Sequence, residues 1–288
     1  MTKEAEGEAE GELAAAITER TITVGGIDVF VRERPGDGAP AVFVHGNPTS
    51  SWDWLPFLER MRGPALAFDL PGFGRSDHPP AGAFDHSLGG YADFVERLLE
   101  QEIDGPYRLV VHDWGGIALA AAQRNPERVE RLVVMDAVPF NADYRWHWIG
   151  RLWRRRRVGE ALIAMTSKHG VRQLLRLARP GRKPMPEAMI EEIWSCWDEG
   201  MARAVLALYR SADPEVLAAT GARIGEITCP ALVLWATEDP YIGVEQGRWY
   251  AAALPGAELE LVEGAGHWLW IDRPDVVDRV VGYLEPPG

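Results

Sequence analysis

Leu109-Val110-Val111-His112-Asp113-Trp114-Gly115-Gly116 is the stretch that decides the fold. An apolar run of strand length passes directly into a segment of small residues, Gly115–Arg124. A sharp strand-to-helix turn needs small residues after its apex so that the helix can pack against the strand it has just left. The residue at the apex is then held out as a nucleophile, here Asp113. The familiar G-x-S-x-G form is departed from twice: Val111 stands for its first Gly and Asp113 for its Ser. The second departure changes the chemistry. A carboxylate attacking an acyl carbon gives an anhydride, a poor intermediate, whereas attack on an sp3 carbon bearing a leaving group gives an ester that water can cleave. The substrate class narrows to alkylating centres, chiefly alkyl halides and epoxides. The helix N-terminus is expected to offer backbone N–H groups that keep Asp113 ionised. An Asp in this place is also an ordinary helix cap, so the case rests on its partners.

Outward from the turn the pattern is a βα alternation. Thr21–Val24 and Ile27–Glu33 read as a hairpin through Gly25-Gly26, followed by strands at Ala41–His45, Ala65–Asp69, Arg108–His112 and Leu132–Asp136. Helical spacing covers Ser51–Met61 and Leu88–Glu102, where Tyr91, Phe94, Val95, Leu98 and Leu99 share a face. After residue 226 come strands Ala231–Ala236 and Leu259–Val262 and helices near Glu245–Ala253 and Pro274–Leu284. The expectation is an α/β fold with a mostly parallel central sheet and helices on both faces. Residues 137–225 break the alternation with helical patterns only. They hold five of the twelve tryptophans (Trp146, Trp148, Trp153, Trp194, Trp197) and carry 15 bases against 9 acids, in a chain of net charge -13. We read them as a helical cap inserted in a core of residues 21–136 and 226–288, lying over the carboxyl ends of the strands. Residues 1–20 carry six acids and two bases and read as a disordered, solubilising tail.

Five further positions are candidates for a site around Asp113. His267, in Gly264-Ala265-Gly266-His267-Trp268, follows the last strand and is placed to act as general base for a hydrolytic water. Two acids compete to orient it: Asp239, in the polar turn Thr237-Glu238-Asp239-Pro240, and Asp136, at the end of the strand after the nucleophile helix. Asp239 is favoured because its turn presents a side chain at a strand's carboxyl end. Backbone N–H groups of Asn47, in His45-Gly46-Asn47-Pro48, and of Trp114 are placed to form an oxyanion hole. The Asn47 amide and Trp114 indole side chains are neutral donors suited to a departing halide, which takes no proton. In a blander reading Trp114 is packing and Asn47 a turn residue.

The bulk properties exclude several classes. The net charge of -13 argues against a nucleic-acid partner. No apolar run approaches the ~20 residues of a membrane span, and no secretory signal pattern is visible at the start. Cys196 and Cys229 read as free thiols of a reducing cytoplasm. No metal-ligand spacing occurs, Trp146-His147-Trp148 included, so neither metal nor cofactor is expected. The run Arg151-Leu152-Trp153-Arg154-Arg155-Arg156-Arg157 reads as a solvated helix face. The expected partner is a small apolar organic substrate.

With these residues in hand, the chain resembles the haloalkane dehalogenases of the α/β-hydrolase superfamily over residues 21 to 284. The resemblance is sharpest in His45-Gly46-Asn47-Pro48-Thr49-Ser50-Ser51, His112-Asp113-Trp114-Gly115 and Arg124-Asn125-Pro126-Glu127-Arg128-Val129. It implies Asp113 as nucleophile, His267 as base, Asp239 or Asp136 as acid, and Trp114 with Asn47 as the halide-binding pair. One branch of the family takes its acid after the later strand, which fits Asp239; another has Glu where this chain has Asp136. Epoxide hydrolases also read His-Asp-Trp-Gly at the turn, but carry a bulky aromatic where this chain has Asn47. They need cap tyrosines to protonate the epoxide oxygen, and the cap offers Tyr209, 30 residues before Asp239, and Tyr144 near its start. A dehalogenase is the leading expectation and an epoxide hydrolase the alternative. A catalytically silent binding protein is the third reading.

Overall fold

The computed structural model describes residues 16–285. Strand β1 (Thr18–Val24) pairs antiparallel with β2 (Ile27–Arg34), and β2 antiparallel with β4 (Ala65–Phe68). The rest of the sheet is parallel: β3 (Ala41–Val44), β5 (Tyr107–His112), β6 (Val129–Met135), β7 (Ala231–Ala236) and β8 (Glu258–Val262) complete the order β1-β2-β4-β3-β5-β6-β7-β8. The central strands β3 to β7 are apolar almost throughout because helices cover both of their faces.

Short α1 (Leu55–Leu58) lies on one face with α11 (Leu269–Asp272) and α12 (Asp275–Leu284), where Trp54, Phe57 and Trp270 pack with Phe43 of the sheet. On the other face lie α2 (Leu88–Glu102), α3 (Ala118–Ala122) and α10 (Val244–Ala253). Between β6 and β7 the chain runs through α4 (Trp148–Trp153), α5 (Val158–Ala164), α6 (Lys168–Arg176), α7 (Glu187–Cys196), α8 (Glu199–Ser211) and α9 (Pro214–Thr220), and through no strand.

Several boundaries differ from expectation. Strand β1 begins at Thr18, inside the stretch read as a tail, because Arg20 ties it down through ion pairs of 2.8 Å to both Glu33 and Glu102. Residues 1–15, the rest of that stretch, lie outside the described residues. Strand β6 begins at Val129 rather than Leu132. The helix expected over Ser51–Met61 is a 3-10 turn, Ser51–Trp54, capped by Ser50 and followed by α1. Both cysteines are free thiols. The arginine run is more than a solvated face, since Arg154 bonds the carbonyls of Tyr209 and Ala212 and pairs with Asp213, closing the end of α8.

The turn that joins β5 to α3 passes through a 3-10 segment, Asp113–Ile117, that crosses close to β3. A methyl group at Gly115 would stand 2.0 Å from the Val44 carbonyl oxygen, so the backbones meet there only because the residue is Gly. Gly115→Ala should cost about 1–3 kcal/mol, the range of a forced overpacking. Exposed Gly282 in α12 has nothing within 4 Å of a built Cβ, and Gly282→Ala should gain about 0.5–1 kcal/mol. Urea unfolding of the two variants checks both signs.

Candidate active site

Neighbouring parallel strands deliver the candidate site residues from their carboxyl ends. Asn47 follows β3, Asp113 and Trp114 follow β5, Asp136 follows β6, Asp239 follows β7 and His267 follows β8. Open α/β sheets bind ligands at this edge because the loops there diverge.

Asp113 sits at φ 48°, a left-handed conformation that a non-Gly residue seldom adopts. Its Oδ2 accepts the backbone N–H of Asn47 at 2.8 Å. Gly46 makes that approach feasible, since a Cβ there would lie 2.4 Å from the Asp113 Cβ. Burial raises the Asp113 pKa above the ordinary carboxylate value, against the pull of His267 and of the Asn47 and Trp114 backbone N–H groups. The turn's N–H groups thus oppose the burial, as expected, without outweighing it.

His267 is buried, with Nε2 at 3.8 Å from Asp113 Oδ1 and Nδ1 at 2.7 Å from Asp239 Oδ2. Asp239 Oδ1 accepts the N–H groups of Tyr241 and Ile242 at 2.7 and 3.2 Å. Burial pulls the imidazole pKa down, but Asp239, then Asp113 and Asp53, more than offset it and the net shift is upward. Asp136, the competing acid, stands behind this pair. Its Oδ1 accepts the Ala236 N–H at 3.0 Å and it makes no hydrogen bond to the His267 ring.

Above the nucleophile lies a cavity of about 360 Å³, within the usual range for a small-molecule pocket. Its wall is mainly apolar, with Leu152, Leu162, Leu174, Leu175, Trp197 and Val205 from the cap, and its floor holds Asn47, Asp113 and His267. Tyr209 also faces it, with its hydroxyl 3.3 Å from His147 Nε2. Burial and the Asp113 charge push the Tyr209 phenol pKa well up, while the Trp114 and Asn47 side chains beside it pull it down. The Trp114 ring stands edge-on to Tyr209 at 5.0 Å and stacks on Trp146 of the cap at 5.2 Å. Trp114 Nε1 is buried without a geometrically sound hydrogen-bond partner among the described residues, and Trp114 itself does not line the cavity. Tyr144 is also absent from the lining; its hydroxyl donates to the Tyr241 carbonyl at 3.4 Å.

Sequence reasoning passed over four residues. His147 lines the cavity, and burial lowers its pKa to about 4, so the ring is neutral. Tyr241 lines it too, edge-on to His267 at 5.2 Å. His112, also held neutral by burial, donates from Nε2 to the His267 carbonyl at 2.8 Å and so fixes the loop that carries the base. Asp53 accepts the Trp268 indole N–H at 3.2 Å, and burial raises its pKa to about 7. The adjacency of His112 to Asp113 and of Tyr241 to Asp239 was the available signal.

The model of the alpha/beta hydrolase family matches residues 41–280. A haloalkane dehalogenase of Mycolicibacterium paratuberculosis is 30% identical over 274 residues, covering 89% of this chain and 87% of that protein. A cis-3-alkyl-4-alkyloxetan-2-one decarboxylase of Xanthomonas campestris is 27% identical over 293 residues, covering 89% and 91%. Among solved structures, the haloalkane dehalogenase DbeA of Bradyrhizobium elkani is similar with a TM-score of 0.80, at 23% identity, over 93% of this chain and 98% of that one.

Since Asp113 is one of the charges that raise the His267 pKa, Asp113→Asn should lower it. An NMR titration of the His267 ring reads the shift, and an unchanged or higher value would refute the coupling.

Proposed function

We propose that this chain, which belongs to the alpha/beta hydrolase family, is a dehalogenase that hydrolyses haloalkanes through an ester on Asp113. The observation that carries the reading is the Trp114 indole N–H, buried, without a hydrogen-bond partner among the described residues, and next in sequence to Asp113. A buried donor without a partner costs about 1–3 kcal/mol, and a leaving halide is an acceptor that satisfies it without needing a proton.

In the first step Asp113 Oδ1 attacks the carbon that bears the halogen. The O–C bond forms as the carbon–halogen bond breaks, and the halide departs with the electron pair toward Trp114 Nε1 and Asn47. In the second step water attacks the Asp113 carboxyl carbon while His267 Nε2 takes its proton. The negative charge moves onto Oδ2, already held by the Asn47 N–H. Collapse expels the alcohol and restores the carboxylate. The products are alcohol, halide and a proton.

The charges arrange the order of these steps. In the free enzyme the Asp113 charge helps to raise the His267 pKa. Esterification removes that charge, His267 loses one reason to hold its proton, and the base becomes available when the ester exists to be hydrolysed.

A second reading, with an epoxide as substrate, is favoured by one observation: Tyr209 reaches the cavity, whereas Trp114 does not line it. The Tyr209 hydroxyl would then protonate the opening oxygen, with His147 beside it at 3.3 Å.

Bromide release from 1-bromobutane and 1,2-dibromoethane tests the proposal. Asp113→Asn should abolish release, and Trp114→Phe should lower kcat/KM roughly 100-fold, as loss of one charge-stabilising donor does. His267→Gln should accumulate an enzyme heavier by one alkyl group in the intact mass. Bromide-silent enzyme that forms diol from styrene oxide, and loses that activity on Tyr209→Phe, would replace the dehalogenase with the epoxide reading.

A further inference from the structure

Asp136 has a charge problem that the reaction scheme leaves unused. It is wholly buried, at φ 36°, with Oδ1 on the Ala236 N–H and Oδ2 without a partner among the described residues. One donor atom each from Asp136, Asp239 and His267 lies within 4.8 Å of the other two. The neighbouring carboxylate is far better supplied, since Asp239 receives the Tyr241 and Ile242 N–H groups and His267 Nδ1. Two carboxyl groups this close in a dry site do not both ionise, and the proton stays with the one that has fewer donors.

We infer that Asp136 is a neutral carboxylic acid whose Oδ2 proton is shared with Asp239, making Asp136 a positioning residue for the Asp239–His267 pair. Burial, and then the Asp239 charge, both raise its pKa, in agreement with that geometry. The charged groups around it are Asp239, Asp113 and His267. The shared proton satisfies the orphaned oxygen and fixes the Asp239 carboxylate against Nδ1. It also spares the cluster a third negative charge. The inference rests on His267 being the base, but on neither choice of leaving group. A cation held among the same three side chains is the competing way to satisfy Oδ2.

Two measurements that need no substrate test it on the full chain. In infrared difference spectra of wild type against Asp136→Asn at pH 8, the carbonyl stretch of a protonated carboxylic acid should be present in wild type and lost in the variant. The His267 pKa, read by NMR, should stay close to its wild-type value in Asp136→Asn, because one neutral donor replaces another. An ionised Asp136 predicts the opposite on both counts: no such band, and a His267 pKa that falls when the negative charge is removed. Binding of one equivalent of Mn²⁺ or Zn²⁺ that disappears in Asp136→Asn would also overturn the proposal. In turnover, Asp136→Ala, which deletes the donor, should lose about tenfold or more in kcat, and Asp136→Asn should recover most of that loss. Equal losses in the two variants would overturn the positioning role. Failure of the dehalogenase reading would show as absent bromide release with the infrared band intact.

Discussion

A buried carboxylate that must carry charge sets the terms for everything around it. Asp113 is 6% exposed, and the surroundings that keep it dry also push its pKa up. The opposing forces are the N–H groups of Asn47 and Trp114 and the imidazole of His267, and each is delivered by a different strand end. The two small residues that permit this geometry are Gly46 and Gly115, where any side chain would collide with Asp113 or with the backbone of β3. The crossing of β3 by the turn after β5 is therefore an electrostatic device as much as a packing one.

Much of this was legible in the sequence because it depends on local chemistry. Small residues after Asp113, a Gly-flanked His267 and a polar turn at Asp239 each state their role within a few residues of chain. The parallel strands were equally readable, since burial on both faces leaves uninterrupted apolar runs. What could not be read depends on contacts between distant segments. Whether His267 meets Asp239 or Asp136 is settled in space by two strands lying side by side, with the Asp136 carboxylate turned toward Ala236. The start of β1 at Thr18 depends on an ion pair with Glu102, 82 residues away. Tyr144 and Tyr209 looked alike as cap tyrosines, and only the packing of the helices sends one into the cavity and the other to the Tyr241 carbonyl.

The site also divides its labour between the two parts of the chain. The strand ends supply Asp113, His267, Asp239 and the Asn47 and Trp114 N–H groups. The cap supplies the apolar wall, Tyr209 and His147. Charge handling is thus fixed in the rigid layer, and the fit to a substrate is left to helices that carry most of the lining.

The stack of Trp146 on Trp114 crosses that division. It ties the indole beside Asp113 to a residue of the inserted segment. A change confined to the insertion, at Trp146, therefore reaches the ring beside Asp113 while the sheet and its charges stay untouched.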